Sequence, residues 1–272
     1  MARPIKGPFS GQHKIRPTSE KQNDTYFIIK RISDTEETFH TVSPFLVQKA
    51  ISATVGEVTS IRKLRSDDLL VEVNSRQQDQ QILKIKAIAT IKISVSPHET
   101  LNHSKGVITC GELLNVPLEE ITFELKNQGV THVSRINIRR DGQLLGTKHH
   151  ILTFHSPKLP EFIYAGYIKL PVRPYIPNPL RCFKCQRFGH SQTNCRGTLT
   201  CARCAEKGDS KQCTAQEGCE NCNGNHTAYS RLYQRWQLEK EITAVKVKEQ
   251  ISYPEARRKV LEKQQLELAT LL

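Results

Sequence analysis

Eight of the nine cysteines lie between Cys182 and Cys222, and their spacing limits what this chain can fold into more than any other feature. In an oxidising compartment such a cluster reads as a disulfide framework; in a reducing one it reads as metal ligands. Residues 1–17, MARPIKGPFSGQHKIRP, lack the apolar stretch of a secretory signal. They are basic and acid-poor, as a mitochondrial leader is, but Pro4, Gly7, Pro8 and Gly11 oppose an amphipathic helix. The expectation is therefore an intracellular protein, and metal. The clearest site is Cys182-x2-Cys185-x4-His190-x4-Cys195. Three thiolates and one imidazole wrap a single Zn²⁺ tetrahedrally and leave no open position, so the site is structural and not hydrolytic. Gly189 permits the tight turn before the histidine. A second candidate is Cys201-x2-Cys204-x4-Asp209-x3-Cys213, with Asp209 in the histidine place, and a third is Cys219-x2-Cys222-x3-His226, which lacks a fourth ligand. Spacing leaves open whether these form two further zinc sites, one mixed arrangement or degenerate sites. Cys110 stands alone after a strand and reads as a small buried hydrophobe.

Forty basic residues against 27 acidic give a formal charge of +13, which calls for an anionic partner, nucleic acid or a phospholipid surface. A mean hydropathy of −0.49, with no apolar run of about 18 residues, argues against a membrane-spanning segment. Arg181, Lys184, Arg187 and Arg196 surround the first site, and no acid lies between 181 and 196. A zinc ion with three thiolates is net −1, so these cations are what attract phosphate. Their position beside metal-held aromatics favours nucleic acid over a membrane.

Upstream, residues 1–23 read as a disordered basic arm. Over 24–98 the pattern is βαββαβ: a strand at Tyr26–Ile29, a helix with Pro44 first and Ser43 as cap, and strands Val58–Leu64 and Leu69–Val73. A Gln-rich helix from Arg76 to Lys86 and an alternating strand at Thr90–Val95 complete it. Over 104–173 the order recurs: a strand at Gly106–Cys110, a helix from Pro117 to Gln128, and strands Val133–Arg139 and His149–Phe154 flanking the hairpin signal Asp141-Gly142. A short helix at Pro157–Ala165 and a strand at Tyr167–Val172 follow. The prolines of 174–180 predict a semi-rigid linker, 181–234 is the cysteine region, and 235–272 is a charged helical segment interrupted at Pro254.

The first cysteine motif resembles the CCHC zinc knuckle of retroviral-type nucleocapsid proteins. Those knuckles carry an aromatic after the first Cys and an apolar residue before Gly-His, here Phe183 and Phe188, which implies an apolar cleft for an unstacked base. The resemblance extends through Lys105-Gly-Val-Ile, Arg140-Asp-Gly142, Ile151-Leu-Thr-Phe154, Pro174-Tyr-Ile-Pro-Asn-Pro-Leu-Arg-Cys-Phe-Lys-Cys-Gln-Arg-Phe-Gly-His190, His226-x-Ala-Tyr-Ser230 and Ile251-Ser-Tyr-Pro-Glu-Ala-Arg257. Over roughly 100–260 the chain is similar to the Gag-like first-open-reading-frame proteins of arthropod, jockey-type non-LTR retrotransposons. That resemblance implies an α+β architecture: two RRM-like (ferredoxin-like) domains, then zinc knuckles, then a helical segment. It also implies RNA packaging, self-association, and an endonuclease and reverse transcriptase encoded elsewhere. In the related pattern a Cys stands where this chain has Tyr233, and a His where it has Asp209.

RRM-type base stacking needs aromatics on the two central strands. The first domain offers Tyr26 and Phe27, of which alternation lets only one face the open sheet; the second offers His149 and Phe154. A scaffold role for both sheets is at least as consistent with these residues. The expected function is zinc-dependent binding of single-stranded RNA or DNA in a cytoplasmic or nuclear ribonucleoprotein. The alternatives are a zinc-knuckle adaptor between proteins, or a decayed or domesticated element copy. No carboxylate pair with a histidine base, no Gly-rich phosphate loop and no open zinc position is present, so no enzymatic activity is expected.

Overall fold

In the computed structural model, residues 24–33, 35 and 37–269 are described; the basic arm expected over 1–23 lies outside them. β1 (Tyr26–Arg31) buries alternate residues, Phe27 and Ile29. α1 (Pro44–Val55) begins with its proline at the first position, where a missing N–H costs nothing, and buries Val47, Ile51 and Val55 along one stripe. Ser43 stands at the cap position but contributes its carbonyl, not its hydroxyl. β2 (Ser60–Lys63), β3 (Leu69–Glu72), α2 (Arg76–Ile82), β4 (Ala87–Ile88) and β5 (Ile91–Pro97) follow. The antiparallel sheet has the order β2-β3-β1-β5-β4. α2 ends four residues before the expected Lys86, because Lys84 and Ile85 close i+3 bonds and the chain then enters β4. Buried Asn102 ties the segment after β5 to the start of β1: its oxygen accepts from the Thr25 and Tyr26 amides at 2.9 and 2.8 Å, and its NH₂ donates to the Tyr26 and His98 carbonyls.

The second domain contains β6 (Ser104–Thr109), α3 (Leu118–Leu125), β7 (Val130–Arg140) and β8 (Gln143–Phe154). Asp141 and Gly142, at φ 49° and 78°, make the left-handed two-residue turn that suits the twist of a hairpin. The helix expected at Pro157–Ala165 is not formed. β9 (Phe162–Ala165) and β10 (Ile168–Pro171) form a hairpin there, turned by Gly166 at φ 60°. Pro157 and Pro160 restrain the preceding chain, and exposed Phe162, buried Ile163 and exposed Tyr164 alternate with the period of a strand. The expected linker also begins as structure: β11 (Arg173–Pro174) occupies the outer place of a sheet ordered β11-β6-β8-β7. Gly106 in β6 makes this closure possible, since a Cβ there would lie 2.3 Å from Val172 Cγ1 and 3.0 Å from Leu159 Cδ1. Gly106→Ala is expected to destabilise this domain by about 1–3 kcal/mol through overpacking, read as a lowered denaturant midpoint.

The chain divides into two compact units at Arg173/Pro174. In the second unit, the Lys240 ammonium donates to the Ile176 and Pro177 carbonyls at 3.1 and 3.0 Å, so the proline-rich stretch is held and is not a free spacer. α4 (Gln234–Glu249) and α5 (Tyr253–Ala269) pack on each other through Ile242, Ala256 and Val260, with Gln250 in the left-handed region between them. The fold class is α+β: two tandem RRM-like domains, the second with a hairpin in place of its second helix, then Cys/His turns and a helix pair. No described helix is long and apolar enough to cross a membrane.

Candidate metal centres and nucleic-acid interface

The three cysteine motifs share one backbone turn. In each, the amide four residues after the first Cys donates to that Cys carbonyl: Gln186 to Cys182, Ala205 to Cys201 and Asn223 to Cys219. Those three residues all have positive φ, 60°, 64° and 55°. Gly189 and Gly208, seven residues after the first Cys in the first two motifs, share φ values of 99° and 138°. The turn aims amides at the leading sulfur. Burial opposes ionisation of Cys182, but the Cys185 and Lys184 N–H groups and neighbouring thiols outweigh it and bring its pKa down to about 7. At Cys201 burial is likewise outweighed, by the Cys204 and Arg203 amides and the Ser210 hydroxyl, again reaching about 7. Sulfurs prepared in this way are readily available as thiolate ligands.

The ligand atoms of three groups converge, each set lying within 4.8 Å of one another: Cys182, Cys185, His190 and Cys195; Cys201, Cys204 and Cys213; Cys219, Cys222 and His226. Tetrahedral Zn–S bonds of about 2.3 Å put sulfurs about 3.8 Å apart, so these clusters have the dimensions of metal sites. Cys185 Sγ is 3.3 Å from His190 Nε2, Cys204 Sγ is 3.5 Å from Cys213 Sγ, and Cys222 Sγ is 3.0 Å from His226 Nε2. His226 Nδ1 donates to the Thr227 carbonyl at 2.9 Å, a bond that turns the Nε2 lone pair towards the sulfurs. Asp209 does not join the second group. Its exposed carboxylate accepts from the Ser210 amide at 2.6 Å and approaches Lys211, folded back on its own backbone. The mixed arrangement is not formed either: the six remaining ligands separate into two groups of three. Where these sets hold zinc, the ion fixes the turns. All nine cysteines are free of disulfides.

The turns also fasten to one another. Buried Gln186 donates to the Phe183 and Thr200 carbonyls at 3.0 and 3.1 Å, and Asn221 Nδ2 donates to the Gln186 carbonyl at 2.9 Å. The Gly218 amide donates to the Arg203 carbonyl, and the Ala228 amide to the Ala202 carbonyl, both at 2.8 Å. A Cβ on Gly218 would lie 2.9 Å from the Cys204 carbonyl oxygen, so the third turn is seated directly on the second.

This assembly sorts the residues expected to bind nucleic acid. Phe183 is 70% exposed, with the Arg181 guanidinium 5.4 Å from its ring centroid. Phe188 does not open onto a cleft; it is half-buried and stacks on Tyr233 at 6.5 Å. Arg181 is half-buried and bonded to the Gln186 side chain. Arg187 pairs with Glu220 at 2.7 Å, an acid that the fold brings from the third turn into a stretch without acids in sequence. Lys184 and Arg196 make no ion pair among the described residues. Arg187, His190, Asn194, Arg196 and Thr198 line an open groove of about 360 Å³ beside the first group. Tyr229, not singled out in the sequence, is 56% exposed and within electrostatic reach of Arg181. The available signal was its place in His226-x-Ala-Tyr229, an aromatic three residues past a ligand.

The open sheet faces are poor stacking platforms. Phe27 is core, and outward Tyr26 donates its hydroxyl to Glu72 at 3.2 Å. Glu72, the last residue of β3, also accepts from Ser60, placing an anion beside Tyr26 at one end of that face. In the second domain Phe154 is 1% exposed in the core, contrary to its expected outward position, while half-buried His149 bonds Thr109 through Nδ1 at 2.9 Å.

A family model described as a domain of unknown function, DUF8775, matches residues 105–174, about a quarter of the chain. No curated protein matches. Among solved structures, the chain is similar to an Sxl-lethal protein–RNA complex (12% identity, 56% of this chain and 99% of that one, TM-score 0.23). It is also similar to the Sex-lethal RNA recognition domains 1 and 2 from Drosophila melanogaster (11%, 48% and 85%, 0.22). A third is the first two RRM domains of the yeast poly(U) binding protein Pub1 (9%, 48% and 82%, 0.21).

Proposed function

We propose that this chain is a zinc-dependent single-stranded RNA- or DNA-binding protein that coats, packages or anneals nucleic acid, as Gag-like proteins of jockey-type elements do. The observation that carries this reading is the exposed Phe183 ring beside the Cys₃His group, with Arg181 against it and Lys184 and Arg196 unpaired among the described residues. A base stacks on Phe183, and Tyr229 supplies a second exposed ring in the reach of the same guanidinium. Lys184, Arg196 and the cations of 1–23 hold phosphates. The two RRM-like domains serve as scaffold, consistent with Glu72 on one open face and, on the other, with the His149 ring engaged by Thr109. The chain acts by binding, and any catalysis belongs to another protein.

Affinity for an unstructured oligonucleotide is expected to fall with salt at a log–log slope of about −0.7 per phosphate neutralised. A flat response sinks the reading and favours an adaptor between proteins. Phe183→Ala with Tyr229→Ala is expected to lose about 1–3 kcal/mol per stacked base with the salt slope unchanged. Unchanged affinity would leave only backbone attraction.

A further inference from the structure

The third group has three donors, and Tyr233 packs against one of them, His226. This tyrosine is 9% exposed, and its hydroxyl is buried without a hydrogen-bond partner of ordinary geometry. A phenol of this kind is costly to bury unless something receives it. Its ring lies 4.3 Å from the His226 ring and 6.5 Å from that of Phe188, so packing by two neighbouring rings holds it in place. The Cys219 and Cys222 sulfurs lie within electrostatic reach of that hydroxyl. The half-buried Arg181 guanidinium is in reach of both Tyr233 and Cys219.

We propose that the Tyr233 phenolic oxygen is the fourth ligand of the third group, giving a Cys219–Cys222–His226–Tyr233 metal site. This rests on the zinc reading of the cysteine groups. On metal binding the O–H bond breaks, the proton leaves to solvent and the oxygen lone pair forms the bond to the ion. Two thiolates, one phenolate and one neutral imidazole around Zn²⁺ give a net charge of −1, the same as for the Cys₃His group. Arg181 is the adjacent cation that balances it. The substitution therefore exchanges a sulfur for an oxygen without changing the charge of the site. Asp209, which turns outward, leaves the second group with no such replacement.

The test is zinc titration of the metal-free full chain, wild type and Tyr233→Phe, with metal-to-protein stoichiometry and the near-ultraviolet tyrosinate band recorded together. Tyr233→Phe keeps the ring and removes only the oxygen, and Cys222→Ser serves as the reference for loss of the third ion. The expected result is a tyrosinate band in wild type that saturates with the third group's ion and is absent in Tyr233→Phe, whose affinity there drops by more than about tenfold. Tyr233→Cys should restore the ion without the band. Equal third-ion affinity in wild type and Tyr233→Phe, no tyrosinate band, or no ion in wild type at this group overturns the proposal. The ion of the Cys182–Cys195 group reports separately: its absence in all variants would overturn the zinc reading itself.

Discussion

Stripping metal from the full chain with a chelator is expected to unfold residues 181–233 together while the sheets of 24–173 keep their structure. The apolar clusters of the described residues lie within 27–95, 108–172 and 238–260, so the turns between have no such core of their own. Their most buried side chains include Cys182, Cys185, Cys201 and Cys219, that is, ligands. Structural zinc contributes an apparent ~10–16 kcal/mol to folding, comparable with the whole stability of an ordinary domain. The hydrogen bonds from Gly218 to Arg203 and from Ala228 to Ala202 pass disorder in one turn to the next. Amide exchange followed by mass spectrometry checks this: protection should vanish across 181–233 and persist in β1, β3, β6 and β8. Undiminished protection of the turns after metal removal would show that they fold without metal.

The second large effect separates two residues of one strand. Phe154→Ala is expected to cost the second domain about 3–5 kcal/mol, the usual range for emptying a buried aromatic site, because Phe154 faces Ile121, Leu125, Val130 and their neighbours in the core. His149→Ala should cost only about 0.5–1.5 kcal/mol, the bond to Thr109. Denaturant unfolding monitored in peptides of 104–173 distinguishes the two. Equal costs would mean that the outward and inward faces of β8 are misassigned. A loss of oligonucleotide affinity in His149→Ala at unchanged stability would return this sheet to the binding surface.

What could be read in the sequence was local. The Asp141-Gly142 turn, the alternation of Tyr26–Ile29 and the Pro44 helix start depend on neighbours a few residues away, and each forms where its residues predict. The Cys182–Cys195 spacing is local in the same sense, since one short segment delivers all four ligands. What could not be read depends on distance. Nothing near Arg187 announces Glu220, thirty-three residues on. Nor does anything near Phe188 announce Tyr233, forty-five residues on, which stacks against it. Asp209 occupies the right place in the motif, yet a carboxylate that can reach the next backbone amide has a local partner, and spacing alone does not weigh that competition. The strand expected at Tyr167–Val172 forms as β10, but the helix expected at Pro157–Ala165 gives way to β9, because Pro157, Pro160 and the shortness of the segment obscure its alternation.

The length of β8 has a further consequence. Its residues His149–Phe154 are flanked on both sides, by β6 and β7, whereas Gln143–Gly146 pair with β7 alone. One continuous strand thus belongs to two mechanical regimes. The inner half is bonded into the domain on both sides. The outer half, with Ile138, Leu144 and Leu145 exposed around it, is a two-stranded ribbon, which has little independent stability in water. Local opening of this outer half therefore costs less than opening of the inner half, so amide protection is expected to fall along β8 from His149–Phe154 towards Gln143–Gly146.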